Sequence, residues 1–209
     1  MQRILPDFTR MIDLPGVGPC PRPVDIDQSV TGFSDLVSLR IYSFSGTAAI
    51  KGDAEEDEVL IVLLDGSASI GVSGRHSADY DLTISGTRAI YMPPDHHYRL
   101  MPDGRATIAY VRAKPRVTKP PQGFMSGENG LSVESYADRL QLRLIRLDAG
   151  QSILAETRAG AAVERLIHVL GVENASSTEA FGPWQTMALS KGETVTITAP
   201  GEVLIVSAN

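Results

Sequence analysis

Hydrophobic residues in this chain fall in short runs that turn-forming residues interrupt. Within a run, apolar residues either alternate with polar ones or follow one another, as they do over residues 59–64. Alternation is typical of a strand with one buried face, and a short continuous apolar run is typical of a strand buried on both faces. Helical periodicity is weak, because the one plausible window, 155–166, contains Gly160. The pattern predicts strands at 36–44, 58–64, 68–72, 81–84, 88–92, 98–101, 106–113, 140–147, 163–170, 187–189, 194–198 and 203–207.

Turn signals divide these strands into two groups. The dipeptides Asp65-Gly66 and Asp103-Gly104 are typical of hairpin turns. Prolines and glycines crowd residues 1–30 and again residues 114–130, which disfavours regular structure in both segments. We therefore predict an irregular N-terminal arm at 1–30, a first domain at 31–113, a linker at 114–130 and a second domain at 131–209.

The second half of the chain repeats the punctuation of the first. Glu58 and Glu164 each open a strand-like run, and glycines and prolines recur around them at a spacing of about 105 residues. This agreement indicates an internal duplication. Two copies of a unit made of short strands favour an all-β protein with two closed barrels or jelly rolls, because closure removes exposed sheet edges. The matched pairs are Gly46 with Gly150, Glu58 with Glu164, Gly66 with Gly171, Gly86 with Gly192 and Pro93 with Pro200.

The spacing within each copy resembles the two motifs of the cupin superfamily. In the first copy, the residues that match the first motif are Gly46, Gly52-Asp53-Ala54, Glu58 and Gly66. The residues that approximate the second motif are Gly86, Pro93-Pro94-Asp95 and Tyr98. In the second copy, the residues that match the first motif are Gly150, Glu156-Thr157-Arg158, Glu164 and Gly171. Only Gly192 and Pro200 match the second motif there. The resemblance covers roughly residues 36–113 and 140–209 and implies two tandem cupin-like jelly-roll β-barrels.

The resemblance also bears on metal binding, because a cupin metal site draws imidazoles and a carboxylate from adjacent strands. The matching positions carry no histidine; they hold Gly52, Ala54, Glu58, Tyr98, Glu156, Arg158 and Glu164. Glycine and alanine cannot ligate, and an arginine repels a divalent cation. We therefore expect no metal and no other cofactor. The alternative is a displaced site that uses Glu58 with His96 or His97, of which at most one faces inward if both lie on a strand.

Part of the first copy, residues 51–66 and 91–94, is similar to the N-terminal barrel of the 5-deoxyglucuronate isomerase family. That resemblance implies a bicupin that isomerises uronate-type sugars with a metal in its C-terminal barrel. The C-terminal copy here lacks the His-x-His pair, so isomerase activity is an alternative to simple binding.

Composition narrows the range of partners. The net charge of −6 disfavours binding to nucleic acid or to an anionic membrane, which would favour a basic surface. The single cysteine, Cys20, excludes an intrachain disulfide. The N-terminus lacks the apolar run of a signal peptide, and no window approaches the roughly 20 apolar residues of a membrane helix. These features predict a cytoplasmic protein.

Alternation suggests a ligand site in the second barrel. If Glu164 points into that barrel, then His168 does so as well. Together with Glu156 and Arg158 they would form a polar cluster in which the guanidinium offers a bidentate fork for a carboxylate. The alternative is a buried ion pair beside a hydrogen-bonded core histidine.

The first barrel offers a second set of candidates. Glu58 and Tyr98 are predicted to face each other, with His96, His97 and Arg99 at the mouth of the barrel. The alternative is a surface loop of polar residues.

The leading hypothesis is a metal-independent bicupin that binds a small polar ligand, a sugar acid or another carboxylate. One alternative is a carbohydrate isomerase or epimerase with Glu, His or Tyr as acid and base. Another is a structural or assembly protein whose barrels are filled by side chains. The arm at 1–30 has few local contacts, so we expect it to lie over a neighbouring copy in a homodimer.

Overall fold

The computed structural model describes most of the chain and forms strands nearly throughout. The described residues are 1–74, 88–128, 130–134, 136–137, 139–148, 151–156 (backbone only for 153–156), 163–170, 184–190, 192–197 and 201–209. The predicted strand at 81–84 lies outside them. The strands are β1 Gln2–Ile4, β2 Met11–Leu14, β3 Gly18–Pro21, β4 Val24–Asp27, β5 Leu36–Gly46, β6 Ile50–Asp53, β7 Glu58–Gly74, β8 Ala89–Met92, β9 His96–Ala113, β10 Gln122–Phe124, β11 Leu131–Val133, β12 Leu140–Leu147, β13 Ile153–Glu156, β14 Glu164–Leu170, β15 Thr186–Leu189, β16 Thr194–Ile197 and β17 Gly201–Ala208. One short helix, α1, spans Gln28–Thr31.

Two sheets of the same design organise the molecule. The first has the order β10-β8-β7-β9-β5-β4, with β6 paired to β9, and the second has the order β1-β15-β14-β17-β12-β11. The inner strands β8-β7-β9-β5 therefore correspond one to one with β15-β14-β17-β12. Strands β13 and β16 pair separately. This arrangement confirms the all-β fold and the internal duplication.

The strands β7 and β9 continue through both dipeptides that the sequence predicts as hairpin turns. β7 pairs with β9 along its length, with register shifts on either side of Asp65-Gly66. Gly66 has a φ of 82°, and a Cβ there would lie 1.9 Å from the carbonyl oxygen of Arg105. The hairpin prediction at Asp65-Gly66 and Asp103-Gly104 is wrong, because glycine here serves a bulge in a continuing strand.

Both faces of the central strands are buried. Val59 and Ile61 of β7 pack in the interior of the first barrel, whereas Leu60 and Val62 face a hydrophobic cluster shared with the second barrel. In β14 the interior residues are Ile167 and Val169. The shared cluster, called here the interbarrel core, includes Val24, Ile26, Leu36, Leu39, Ile41, Leu60, Val62, Tyr91, Ala109 and Val111 of the first half, and Leu131, Val133, Leu140, Leu142, Leu144, Leu166, Ala188, Leu204 and Val206 of the second.

Each half of the chain lends an edge strand to the other barrel. β1 pairs with β15 of the second barrel before β4 joins β5 of the first. In the same way β10 pairs with β8 of the first barrel before β11 joins β12 of the second. The exchange binds the two barrels together by backbone hydrogen bonds at two separate edges.

The arm at 1–30 is therefore not irregular, and that prediction is wrong. It contains β1 to β4, and its prolines Pro19 and Pro21 lie in β3, which pairs with β2 in a two-stranded sheet. Proline is tolerated on such an edge strand because one side of the strand needs no ladder hydrogen bond. Within 114–130, predicted as a linker, β10 forms.

The arm still exposes apolar side chains. Leu5 is 66% exposed, Phe8 63% and Met11 51%. The homodimer through this surface stays a prediction. In the described part of the chain, no helix has the length and apolar character needed to cross a membrane.

Candidate functional site

The two glutamates at matched positions hold the opposite barrel. Glu58 is 0% exposed, and its Oε1 accepts hydrogen bonds from the backbone N–H groups of Arg139 at 2.9 Å and Leu140 at 2.6 Å. The hydroxyl of Tyr91 donates to its Oε2 at 3.2 Å. Glu58 of the first barrel thus caps the start of β12 in the second.

Glu164 does the reciprocal. It accepts hydrogen bonds from the backbone N–H groups of Ser34 at 2.5 Å, Asp35 at 2.8 Å and Leu36 at 2.7 Å, at the start of β5. Asp35 and Arg139, whose backbone N–H groups are among those bound by the two glutamates, form an ion pair with each other through their side chains. The four side chains Glu58, Glu164, Asp35 and Arg139 form what we call the junction.

This placement corrects the predicted orientation of β14. Glu164 binds the first barrel, and Leu166 packs in the interbarrel core, so this face of β14 points away from the interior of its own barrel. The interior face carries Ile167 and Val169. The predicted inward face of β14 is therefore the wrong one. Because β14 is apolar on both faces, alternation cannot decide which of the two sets of alternate residues points inward.

His168 lies on the same face as Leu166, fully buried at 0% exposure. Its Nδ1 lies 2.8 Å from the Thr186 hydroxyl oxygen, and its Nε2 has no hydrogen-bond partner among the described residues. Its ring packs edge-on to Trp184, with centroids 5.7 Å apart. Burial lowers the pKa of His168 to about 3, so the imidazole is neutral at physiological pH.

In the first barrel Tyr98 occupies the space beside Gly52. The two residues are directly opposite on β9 and β6, and a Cβ on Gly52 would lie 2.6 Å from the Tyr98 phenol oxygen. Tyr98 packs with the hydrophobic cluster inside the first barrel, whereas Glu58 points to the opposite side and binds the backbone of the second barrel. The prediction that Glu58 and Tyr98 face each other is therefore wrong. Burial raises the pKa of Tyr98, which keeps the phenol neutral.

The remaining predicted residues divide between surface and undescribed parts. His96 is half-buried, with its Nδ1 2.8 Å from the carbonyl oxygen of Pro94, and His97 is exposed. Arg158 lies outside the described residues, as does the side chain of Glu156. The predicted cluster of Glu156, Arg158, Glu164 and His168 therefore stays a prediction as a whole; of its described members, Glu164 binds the first barrel and His168 bonds to Thr186.

An open groove lies on the outer face of the first barrel. Its volume is about 700 Å³, and we call it the basic groove. Lys51 of β6 lies directly opposite Arg99 of β9, which in turn lies opposite Gly71 of β7. One step along, Asp53 lies opposite His97. The lining comprises Lys51, Gly52, Asp53, Ser69, Gly71, Val72, Ser73, His97, Tyr98, Arg99 and Met101.

Among the described residues, the two cations of the basic groove have no acidic partner. Lys51 and Arg99 are both exposed, and neither has a carboxylate within 4.0 Å in the described residues. Like charges directly opposite on neighbouring strands are destabilising. An anion bound between them removes that repulsion. The sequence pattern does not single out Lys51, since only the β6–β9 register brings it opposite Arg99.

Comparisons with known proteins were informative only at the level of structure. No protein-family model matches the sequence, and no curated protein matches it significantly. The fold is similar to that of the bacterial pirin YhhW from Escherichia coli in complex with nickel(II), over 99% of both chains, with a TM-score of 0.67 and 14% identity. It is similar to quercetin 2,3-dioxygenase from Acinetobacter baumannii over 100% of this chain and 86% of that one, with a TM-score of 0.70 and 12% identity.

A third similar structure is an IolB-like protein from Salmonella typhimurium, which matches over 90% of this chain and 89% of its own, with a TM-score of 0.59 and 14% identity. The chain has the bicupin fold. At these identities the likeness establishes the fold alone.

The first barrel of this bicupin does not fit a metal ion at the cupin positions. Gly52 and Ala54 offer no ligand atom, and Tyr98 fills the space that a side chain at residue 52 would need. The displaced site does not form either, because Glu58 is buried at the junction, His97 faces the basic groove and the Nδ1 of His96 lies against the Pro94 carbonyl oxygen. Among the described residues there is no group of three or more His, Cys, Asp or Glu side chains that could hold a metal.

Proposed function

We propose that this bicupin is a metal-independent binding protein for a small anionic ligand, a sugar acid or another carboxylate, and that the basic groove holds it. The observation that carries the proposal is the pair Lys51 and Arg99, directly opposite each other and without an acidic partner in the described residues. A carboxylate placed between them takes charge-assisted hydrogen bonds from both side chains. The volume of about 700 Å³ is within the range of small-molecule sites.

Other groups in the groove suit a hydroxylated ligand. Ser69 and Ser73 of β7 and Asp53 of β6 supply hydroxyl and carboxylate groups that pair with sugar hydroxyls. A sugar acid combines both requirements, a carboxylate for the cations and hydroxyls for the rest.

Calorimetry with galacturonate tests the proposal. We expect measurable binding that EDTA does not change, and a loss of about tenfold or more in affinity for Arg99→Met, since a hydrogen bond to a charged group contributes roughly 1.5–3 kcal/mol. Arg105→Met is the matched control, because Arg105 is an exposed arginine on the same strand outside the groove. Binding that survives Arg99→Met and is lost in Arg158→Met would instead place the site in the second barrel.

A second candidate function, isomerisation of a sugar acid, is favoured by one observation. His97 and Asp53 lie directly opposite each other beside the cationic pair, so a carboxylate and an imidazole are available as base and acid next to a bound carboxylate. Incubating galacturonate with the protein in D2O tests this candidate. Incorporation of deuterium at a carbon of the sugar, abolished in His97→Gln, supports catalysis. If no deuterium is incorporated, the candidate function of isomerisation is contradicted and only binding remains.

A further inference from the structure

The basic groove continues beyond its cationic end. A second open cavity, of about 630 Å³, lies farther along β7 and includes Asp65, Ser67, Arg88 and Asp103 in its lining. The two cavities share Ser69 and Met101. The two cavities therefore adjoin on the outer face of the first barrel, and we call them together the trough.

The trough is long compared with a single sugar acid. Its floor follows β7 from Ser73 to Ser67, which at about 3.3 Å per residue is on the order of 20 Å. Each of the two cavities alone is within the roughly 300–1,000 Å³ typical of a small-molecule site. A ligand that fills both is therefore an oligomer of such units.

Cations and hydrogen-bonding groups alternate along the trough. Lys51 and Arg99 lie at one end, and the guanidinium of Arg88 lies at the other. Arg88 is held there by a hydrogen bond to the Leu64 carbonyl oxygen at 3.3 Å and by Glu202 at 3.6 Å. Anionic groups repeated along an extended ligand find a cation at both ends.

We propose that the trough binds an acidic oligosaccharide, a short chain of uronic-acid units, with one carboxylate between Lys51 and Arg99 and a later one at Arg88. This inference rests on the proposed function of the basic groove and extends it to a substrate class. The carboxylates bind the cations, and the hydroxyls between them pair with Ser67, Ser69 and Asp103. Met101, 39% exposed at the point where the cavities join, gives the apolar face of a sugar ring a contact.

The geometry favours a saccharide over an acidic peptide. Ser69, Gly71 and Ser73 are alternate residues of β7, so the floor of the trough is the face of a sheet. An extended peptide is recognised through a sheet edge, with pockets for alternate side chains. The floor offers small hydroxyl-bearing side chains and no such row of apolar pockets among the described residues.

The test is calorimetric titration of the full chain with galacturonate, with tetragalacturonate and with a hexaglutamate peptide. We expect the tetrasaccharide to bind about tenfold or more tightly than the monomer, because its units engage linked sites. Ser67→Trp, in the second cavity and outside the basic groove, and Arg88→Met, at the far end, should each remove this advantage and leave the affinity for galacturonate unchanged. Arg105→Met should leave both affinities unchanged.

Two results separate failure of this inference from failure of the proposed function. Equal affinity for the monomer and the tetrasaccharide overturns the oligosaccharide and leaves the monomer site standing. Absence of binding for both overturns both proposals. Hexaglutamate binding as tightly as tetragalacturonate overturns the saccharide in favour of an acidic peptide. Thermal melts of Ser67→Trp and Arg88→Met, checked against the parent chain, show whether a loss of binding is a loss of folding.

Discussion

At the junction between the barrels the charged side chains have partners within the chain, whereas in the basic groove Lys51 and Arg99 have no carboxylate partner among the described residues. Glu58 and Glu164 each receive at least two backbone N–H groups from the opposite barrel. The difference follows burial. A buried charge is costly unless it is hydrogen-bonded, so the junction is satisfied internally and contributes stability. An exposed cationic pair tolerates the lack of a partner in water, and this makes the groove available to a ligand.

The junction and the trough also differ in how they relate to the two copies of the repeat. The junction draws on matched positions of both copies, Glu58 and Glu164, and joins the equivalent strands β5 and β12. The trough lies on the long extensions of β7 and β9, which span 17 and 18 residues. The junction therefore uses positions matched in both copies, and the candidate site uses strands of the first copy.

The largest expected effect is at the junction. Glu58→Ala leaves the amides of Arg139 and Leu140 without their acceptor in a buried site, so we expect the free energy of unfolding to fall by about 3–5 kcal/mol. Glu164→Ala should cost less, because Glu164 is only half-buried and water can reach the freed amides. Urea unfolding measures both. The exposed Glu134, paired with Arg143 at 3.3 Å, is the control, and Glu134→Ala should cost less than about 1 kcal/mol. Equal losses in all three would contradict the role of the junction.

A smaller effect concerns the neutral histidine beside the interbarrel core. Because the pKa of His168 is about 3 in the folded protein and about 6.5 when unfolded, the unfolded chain binds a proton below pH 6.5 that the folded chain refuses. Stability should therefore fall as the pH falls, by about 2–3 kcal/mol at pH 4.5 through this group. The glutamine in His168→Gln does not titrate, so this variant should lose less of its free energy of unfolding between neutral pH and pH 4.5. Urea unfolding at the two pH values measures the loss. His97→Gln is the exposed control and should keep the parent's slope.

The contact of Gly52 with Tyr98 predicts a further loss. Gly52→Ala places a Cβ 2.6 Å from the ring of Tyr98, so we expect about 2 kcal/mol of destabilisation from overpacking. Tyr98→Leu shortens the ring side chain and should relieve most of that cost in the double variant. A double-mutant cycle from thermal or urea unfolding gives the coupling. Additive losses would mean that Tyr98 does not occupy the space beside residue 52.

The smallest effect has the opposite sign. If Lys51 and Arg99 repel each other in the ligand-free protein, then Lys51→Gln should raise the free energy of unfolding by about 0.5 kcal/mol. The gain should shrink at high salt, because exposed charges are screened. Lys114→Gln, on an exposed lysine outside the groove, is the control and should change stability little. A loss of stability in Lys51→Gln would show that the lysine already has a partner and would weaken the case for a bound anion.

Much of the fold could be predicted from local pattern, and the errors have identifiable causes. Short runs bounded by glycine and proline predicted strands such as β5, β12 and β17 within about two residues of their observed ends. The hairpin turn predicted at Asp65-Gly66 is wrong because a glycine with positive φ occurs in β-bulges as well as in turns. The arm misled as well, since proline excludes a central strand but not an edge strand.

The candidate site was less accessible to sequence reasoning. His97 and Arg99 were predicted at the mouth of the first barrel, whereas the structure places both in the groove on its outer face. Lys51 could not be predicted there, because its position opposite Arg99 depends on the register between β6 and β9, which involves strands far apart in the chain. Glu58 and Glu164 were identified as equivalent, but their partners are backbone N–H groups, which no sequence pattern marks.

The sequence by itself determined that this chain is built of strands, that the strands form two copies and that the cupin ligand positions of the first copy carry no imidazole. Those properties depend on residue type and spacing, which the chain carries locally. Only the tertiary structure decided which face of β7 and β14 points inward, which barrel receives each glutamate and which charges remain unpaired. The reason is that both faces of these strands are apolar. Alternation then gives two equally good orientations, and only packing of one barrel against the other selects between them.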